Sequence, residues 1–354
     1  MVTKSVDQKE TQEEQRLTLQ TVRSVLTKNV FDNPTWKGLY FFFRDVIVFG
    51  LIFTALWNTN EWYYVLPLWV LSGFIISGLF IIGHDACHGA LFKSEKLAYW
   101  IGQLAMLPSL HSYNQWAYGH NRIHHGHTIK WDADFVWHPM SPEDYSKLSA
   151  WGKLMHKLNW SSLGGGMYYM IEIWFKGMIL HTAPIAGAKR DKFYTIFFAM
   201  AVTAATFYFG AITATGMDWA QGAWMFAKVA LIPFIIWNYI IGITVYVHHI
   251  NDKIQWKGRR EWSPFHGQVL GTVNYHIPAI INFFFHDIFI HMPHHVHMKI
   301  PFYHLNDALQ EIKKSYGAYV IERKSIIMDY FRATSNCKLY DIKQNKWISY
   351  AEVK

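Results

Sequence analysis

The 354-residue chain carries 20 histidines, and many of them fall at helical intervals. His84 and His88 stand at i and i+4. His120 and His124 repeat that interval, with His125 one step round. His291, His294 and His295 stand at i, i+3 and i+4. Pro293 suits a first helical turn, where its missing N–H costs nothing. Residues so spaced share a helix face. Neutral imidazole is a good ligand for iron, zinc and copper, so three such clusters point to bound metal.

Two metal chemistries compete on these residues. His84-Asp85-Ala86-Cys87-His88 differs from the His-Glu-x-x-His of zinc proteases by Asp at the general-base position, which makes an intramembrane zinc protease one reading. That chemistry needs two histidines and a carboxylate and leaves the other clustered histidines without a role. No Glu is followed three residues later by His, so the signature of soluble di-iron carboxylate bundles is absent. More ligands than one ion can use argue for two ions. An all-nitrogen two-metal site suits oxygen activation against a lipid chain, because an unactivated methylene C–H resists acid–base attack.

The elements that must carry these residues are apolar. Stretches at about 39–57, 62–82, 193–215 and 229–247 each reach the ~20 residues that cross ~30 Å of hydrocarbon. Arg44 lies near one end of the first, where it can reach the headgroups. A shorter run, 97–110, contains Pro108 and reads as interfacial or re-entrant. The turns between partners, about 58–61 and 216–225, are short. The expected fold is therefore an all-α membrane protein with four transmembrane helices in two hairpins. Ser72, Gly73, Ser77 and Gly78 read as close helix packing.

Charge supports this layout. Of 33 Lys and Arg, 32 fall on one side of the four-span layout, Arg44 among them, and Lys228 at the start of the fourth span is the exception. The positive-inside rule then places both termini and the long middle segment in the cytoplasm. This accounts for the net charge of +8 without nucleic acid. Hydrophobic residues make up 51% and charged residues 16%, against a usual ~25% charged, which excludes a disordered chain. Cys87 and Cys337 alone supply no disulfide framework and no Cys-based metal site. The polar N-terminus lacks the apolar core of a secretory signal, and Leu19, Val22, Val25 and Leu26 within it suggest a surface helix. The stretch 145–181 reads as amphipathic helices on the membrane, broken at Gly164-Gly165-Gly166.

The three histidine clusters resemble the boxes of the membrane fatty acid desaturases, H-x3–4-H, H-x2–3-H-H and H-x2-H-H. The likeness extends to Gly83–Leu91, to Tyr118-Gly119 before the second box and to Asp134–Pro139 after it. Val247-His248-His249 also resembles a family segment. Phe285-His286-Asp287 and Ile300-Pro301-Phe302-Tyr303 bracket the third box as in the Δ12 (omega-6) acyl-lipid branch. Ala86-Cys87 departs from the Cys-Gly common in its plant members. The resemblance covers about 35–315, which leaves 1–34 as a cytosolic N-terminal segment and 316–354 as a cytosolic tail.

What the resemblance implies is a four-span bundle with a cytosolic, histidine-rich cap. Its activity would be O2-dependent insertion of a cis double bond by two iron ions (Fe2+/Fe3+), expected at Δ12 of a lipid-linked C18:1 chain. A hydroxylase or ketolase of lipid or carotenoid could use the same irons. Related enzymes use nine histidines; His249 is the choice for the ninth and His248 its rival. Asp85, Asp132, Asp134 and Asp287 lie near the boxes and could orient their rings. Asp85 is favoured for this, and the other three read as solvated loop acids. His286 is a further candidate to orient or line the site. The remaining histidines, among them His111, His156 and His181, read as interfacial or surface residues. No haem motif and no dinucleotide-binding motif occurs, so electrons must come from a separate ferredoxin or cytochrome b5, steered to the basic face.

Overall fold

The computed structural model describes residues 17–353; the first part of the N-terminal segment lies outside them. The chain is mostly helical. Among the described residues the only ladders are three two-stranded pairings. Among the described residues four helices are long and apolar enough to cross a membrane: α1 (Thr35–Asn58), α2 (Trp62–Cys87), α3 (Ala188–Ala211) and α4 (Trp219–His249). The third ends earlier and the fourth begins earlier than the hydropathy suggested. Ile212–Thr213 pairs with Gly216–Met217 in a tight turn. Asp218 then caps α4, accepting from the amides of Ala220 and Gln221 at 3.0 and 3.1 Å.

Burial separates the four helices into two kinds. The most apolar windows of α1 and α3 are each 17% buried, against 61% for α2 and 44% for α4. Trp36, Phe43, Ile47 and Leu51 on α1, and Phe193, Phe197 and Met200 on α3, are exposed, as side chains that face lipid would be. α2 is in contact with both α1 and α4. Gly73 permits the second contact: a Cβ there would meet Ile236 and Ile240 of α4 within 3 Å. The expectation of close packing at Gly73 holds.

Local irregularities have identifiable causes. Pro233 lies in α4 and lacks the N–H that an α-helix requires, and Ala227–Leu231 just before it is wound as a π-helix. Lys228, the exceptional cation, is fully buried. Its Nζ donates to the Thr59 carbonyl and to Asn60 Oδ1, both at 2.8 Å, and so satisfies groups at the C-terminal end of α1.

The segments between and after the long helices are tied to them and to one another by close contacts. Glu95–Met106 packs on α2 and is too short to span, as the 97–110 run suggested. Gly164–Gly166 is not a break. It opens a helix that continues as Tyr169–Leu180, and its missing side chains let it close on α4 at Gly242. Leu19–Arg23 is not a free surface helix either: Val22 is fully buried and Arg23 Nε donates to the Val296 carbonyl at 2.7 Å. The segment after 316 also joins the core. Tyr330 donates to the Ser162 carbonyl at 3.0 Å, and Cys337 and Tyr340 are fully buried.

Candidate metal centre

The first histidines stand where α2 ends. His84 is in its last turn and His88 is its C-cap, and both are buried. The second cluster rides on a helix whose middle, Tyr118–His124, is wound as a π-helix between Tyr113–Ala117 and His125–His127. This winding changes the predicted pairing. A π turn aligns i with i+5, so His120 meets His125, with their Nε2 atoms 3.2 Å apart. His124 points elsewhere. The third cluster occupies the short helix His291–Val296, and His249 closes α4.

The fold brings these rings into two adjoining groups. In one, His84, His88, His120, His125 and His294 each offer a nitrogen within 4.8 Å of all the others. In the second, His124, His249 and His295 do the same. His291 adjoins this second group, with its Nε2 3.1 Å from that of His249 and 3.0 Å from that of His295. Box two is thus divided between the groups, and so is box three. His248 belongs to neither: its ring stacks on that of His291 at 3.8 Å.

The outer nitrogens decide what the inner ones can do. His84 Nδ1 lies 2.9 Å from Asp85 Oδ1, and Asp85 Oδ2 accepts the Phe302 amide at 2.7 Å. His124 Nδ1 lies 3.0 Å from Asp134 Oδ1. Asp134 is buried and also accepts the amides of Ile129 and Val136. His249 Nδ1 donates to the Gly271 carbonyl at 3.0 Å, and His295 Nδ1 donates to Gln268 Oε1 at 2.9 Å. A ring that donates through Nδ1 keeps a lone pair on Nε2, and here four such lone pairs face inward. The expectation for Asp134 as a solvated loop acid therefore fails. It stands for Asp132, which is exposed. Asp287 is half-buried and held by Asn282 at 2.6 Å, away from the boxes.

Sequence reasoning missed Gln268 and the Gly271 carbonyl, which lie in a stretch without any metal-site signature. It also read two buried histidines as interfacial or surface residues. His111 is fully buried, with Nδ1 2.8 Å from the Ser109 carbonyl, and His156 is buried beside Tyr350. His286 is buried too, but it pairs with Asp45 at 2.6 Å and packs on Phe302. Among the described residues it contacts no box histidine.

Metal suits this environment. His120, His125, His291, His294 and His295 are all held well below the usual imidazole pKa, first by burial and then by one another's proximity. Neutral rings are the ligand form. Buried nitrogens without any partner remain: both of His294, and Nδ1 of His88, His125 and His291. Nitrogen lone pairs converging at 2.8–3.3 Å cannot all be bridged by protons, and bound cations would relieve them. On the side of α2 and α4, the two groups border a narrow cavity lined by Phe80, Ile81, Ile241 and Ile288.

Comparison with known proteins decides the family. A profile of the fatty acid desaturases matches residues 60–326, three quarters of the chain. The chain belongs to the fatty acid desaturase family. This desaturase is 29% identical over 337 residues to the sn-1 oleoyl-lipid 12-desaturase of a Picosynechococcus species, covering 95% of this chain and 93% of that one. It is 28% identical to the sn-1 acyl-lipid omega-3 desaturase (ferredoxin) of a Synechocystis species, covering 87% and 83%. It is 27% identical to the chloroplastic omega-6 fatty acid desaturase of Arabidopsis thaliana, covering 86% of this chain and 65% of that one. The desaturase is an oxidoreductase, and its four long apolar helices make it a membrane protein. Family membership leaves the protease reading without support.

Proposed function

We propose that the desaturase holds two irons and inserts a cis double bond at Δ12 of a lipid-linked C18:1 chain. The observation that carries this is the division of the histidines into two adjoining buried groups. In this reading His84, His88, His120, His125 and His294 hold one ion. His124, His249, His291 and His295 hold the other. His248 supports the site from outside by stacking on His291. The Δ12 assignment leans on the oleoyl-lipid 12-desaturases and omega-6 desaturases among the relatives.

Iron held by these histidines would supply the oxidising power needed to take hydrogen from an unactivated methylene. The chain does the rest. Asp85, Asp134, Gln268 and the Gly271 carbonyl hold four rings with Nε2 inward. Phe80, Ile81, Ile241 and Ile288 make an apolar wall beside them, where each buried CH2 is worth about 0.8 kcal/mol. That energy is nearly the same for neighbouring carbons, so wall shape must set the position of the new bond. The two abstracted hydrogens and two external electrons, with two protons, reduce O2 to two waters. The electrons come from a ferredoxin or cytochrome b5, with ferredoxin favoured by the name of the Synechocystis relative.

In a host rich in oleoyl lipids, supplied with ferredoxin, expression yields linoleoyl chains in an O2-dependent manner. Mass spectrometry after derivatisation of the double bonds reads the outcome. A new bond at Δ9 of saturated chains would refute the regiochemistry alone. A hydroxy or keto product, or altered carotenoids with unchanged acyl chains, would overturn the reaction.

The same proposal places α1–α2 and α3–α4 as two hairpins with both termini and the histidine cap in the cytoplasm. Reporter tags at the termini and near Lys147 then read cytoplasmic, while tags at Thr59 and Met217 read the opposite side. A lumenal or periplasmic signal near Lys147 would sink the arrangement.

A further inference from the structure

A second apolar cavity lies deeper between the helices. It has a volume of about 500 Å³, against about 50 Å³ for the cavity beside the histidines. Phe53 of α1, Ile76 of α2, Val202 of α3 and Phe234 of α4 are on its wall, with Leu110 at the end nearest the cap. The two spaces are stacked along α2 and α4. Ile76 and Phe80 are one helical turn apart, with Ile76 on the large cavity and Phe80 on the small one. On α4, Phe234 borders the large cavity and Ile241 the small one.

Between them lies a layer of rings. Phe80 meets Trp116 at 5.0 Å, His111 at 5.1 Å and Trp237 at 5.6 Å between centroids. Trp237 meets His111 at 5.3 Å and Tyr169 at 5.8 Å. Phe80, Trp116 and Tyr169 line the small cavity, whereas Trp237 and His111 line neither, are fully buried and fill the layer. His111 is pinned there through Ser109 and lies 3.4 Å from the Tyr169 hydroxyl. Edge-to-face rings in a close-packed interior form a stiff partition, since no single ring can move without displacing its neighbours.

We infer that this aromatic floor, centred on Phe80 and Trp237, stops the methyl end of the acyl substrate and so sets the length of tail admitted beyond the reacting carbons. The inference rests on the acyl-desaturase reading above and adds to it the residues that measure the tail. The floor lies one turn below His84, about 6 Å along α2. Carbon–carbon bonds of about 1.5 Å advance an extended chain by about 1.3 Å per carbon, so that depth holds roughly five carbons. The tail from C13 to C18 is of that length, and the aliphatic side chains lining the small cavity must draw apart to admit its full width. A longer tail would have to enter the large cavity, which the floor seals off.

The test compares cis-9 chains of 18 and 20 carbons, which are alike up to C9 and differ only in the methyl-side tail. Both are fed to cells expressing the full chain with ferredoxin. Wild type converts the 20-carbon chain at least tenfold less well. Phe80→Ala and, separately, Trp237→Leu join the two cavities and raise the 20-to-18 conversion ratio at least tenfold. Adding Val202→Phe, which fills the large cavity, cancels that gain. Val202→Phe alone leaves 18-carbon conversion unchanged, because the wild-type tail does not reach it. Equal use of both chains by wild type would overturn the inference. So would an unmoved ratio in either floor variant that still converts 18-carbon chains, or a loss of 18-carbon conversion in Val202→Phe alone. A double bond formed away from Δ12 would count against the regiochemical reading, while the ratio between the two chains still reports on the floor.

Discussion

His294→Ala is expected to yield a folded protein with no measurable desaturation and depleted iron. His294 is fully buried and neither ring nitrogen has a protein partner. It is also the third box's contribution to the five-histidine group. Structural histidines in this protein look different: His111 and His156 are buried against hydrogen-bond partners. Removing the His294 ring would take away a proposed ligand without freeing any other protein group, so the loss would read metal and turnover directly. The measurements are iron per chain by elemental analysis and product by mass spectrometry, with His181→Ala, an exposed position, as control. Full iron and full conversion in His294→Ala would refute the assignment, as would a single tight zinc in wild type.

Asp134→Asn is expected to lower activity or iron affinity by roughly 10–100-fold, the usual cost of losing a carboxylate that orients a metal-bound imidazole. Asp134 holds His124 Nδ1 at 3.0 Å and accepts the Ile129 and Val136 amides at 2.9 and 3.1 Å. Asn keeps the shape but replaces one acceptor oxygen by a donor, which opposes either the ring N–H or a backbone N–H. His124 then loses its fixed tautomer in the group it shares with His249 and His295. Partial recovery at high iron would locate the defect in metal binding. Asp132→Asn, an exposed position two residues away, is the control and changes neither quantity. Equal effects of the two substitutions would show that Asp134 does not act through His124.

Much of this molecule was legible in single residues and their intervals. Local apolarity is enough to mark four long helices, because a helix in hydrocarbon must satisfy its own backbone and needs no partner to declare itself. The three boxes stood out because ligand types at helical spacing are a local pattern. Lys228 stood out as an exception to the charge distribution, although its use at the end of α1 was not readable from that.

Tertiary structure decided how the histidines are shared. A regular helix pairs His120 with His124, and only the π winding pairs it with His125 and sends His124 to the other group. Intervals in sequence assume one winding and cannot register a change of pitch. Gln268 was invisible, and Asp134 was named but read as a solvated acid, for a related reason: an acid or amide in a loop has no period, and its burial depends on segments far away in the chain, as when Gln268 reaches His295 and the His125 carbonyl. The aromatic floor is the extreme case. Phe80, His111, Trp116, Tyr169 and Trp237 come from five separate places, each ordinary where it stands. Rings carry no directional signal in sequence, so only packing shows that these five meet in one layer between two cavities.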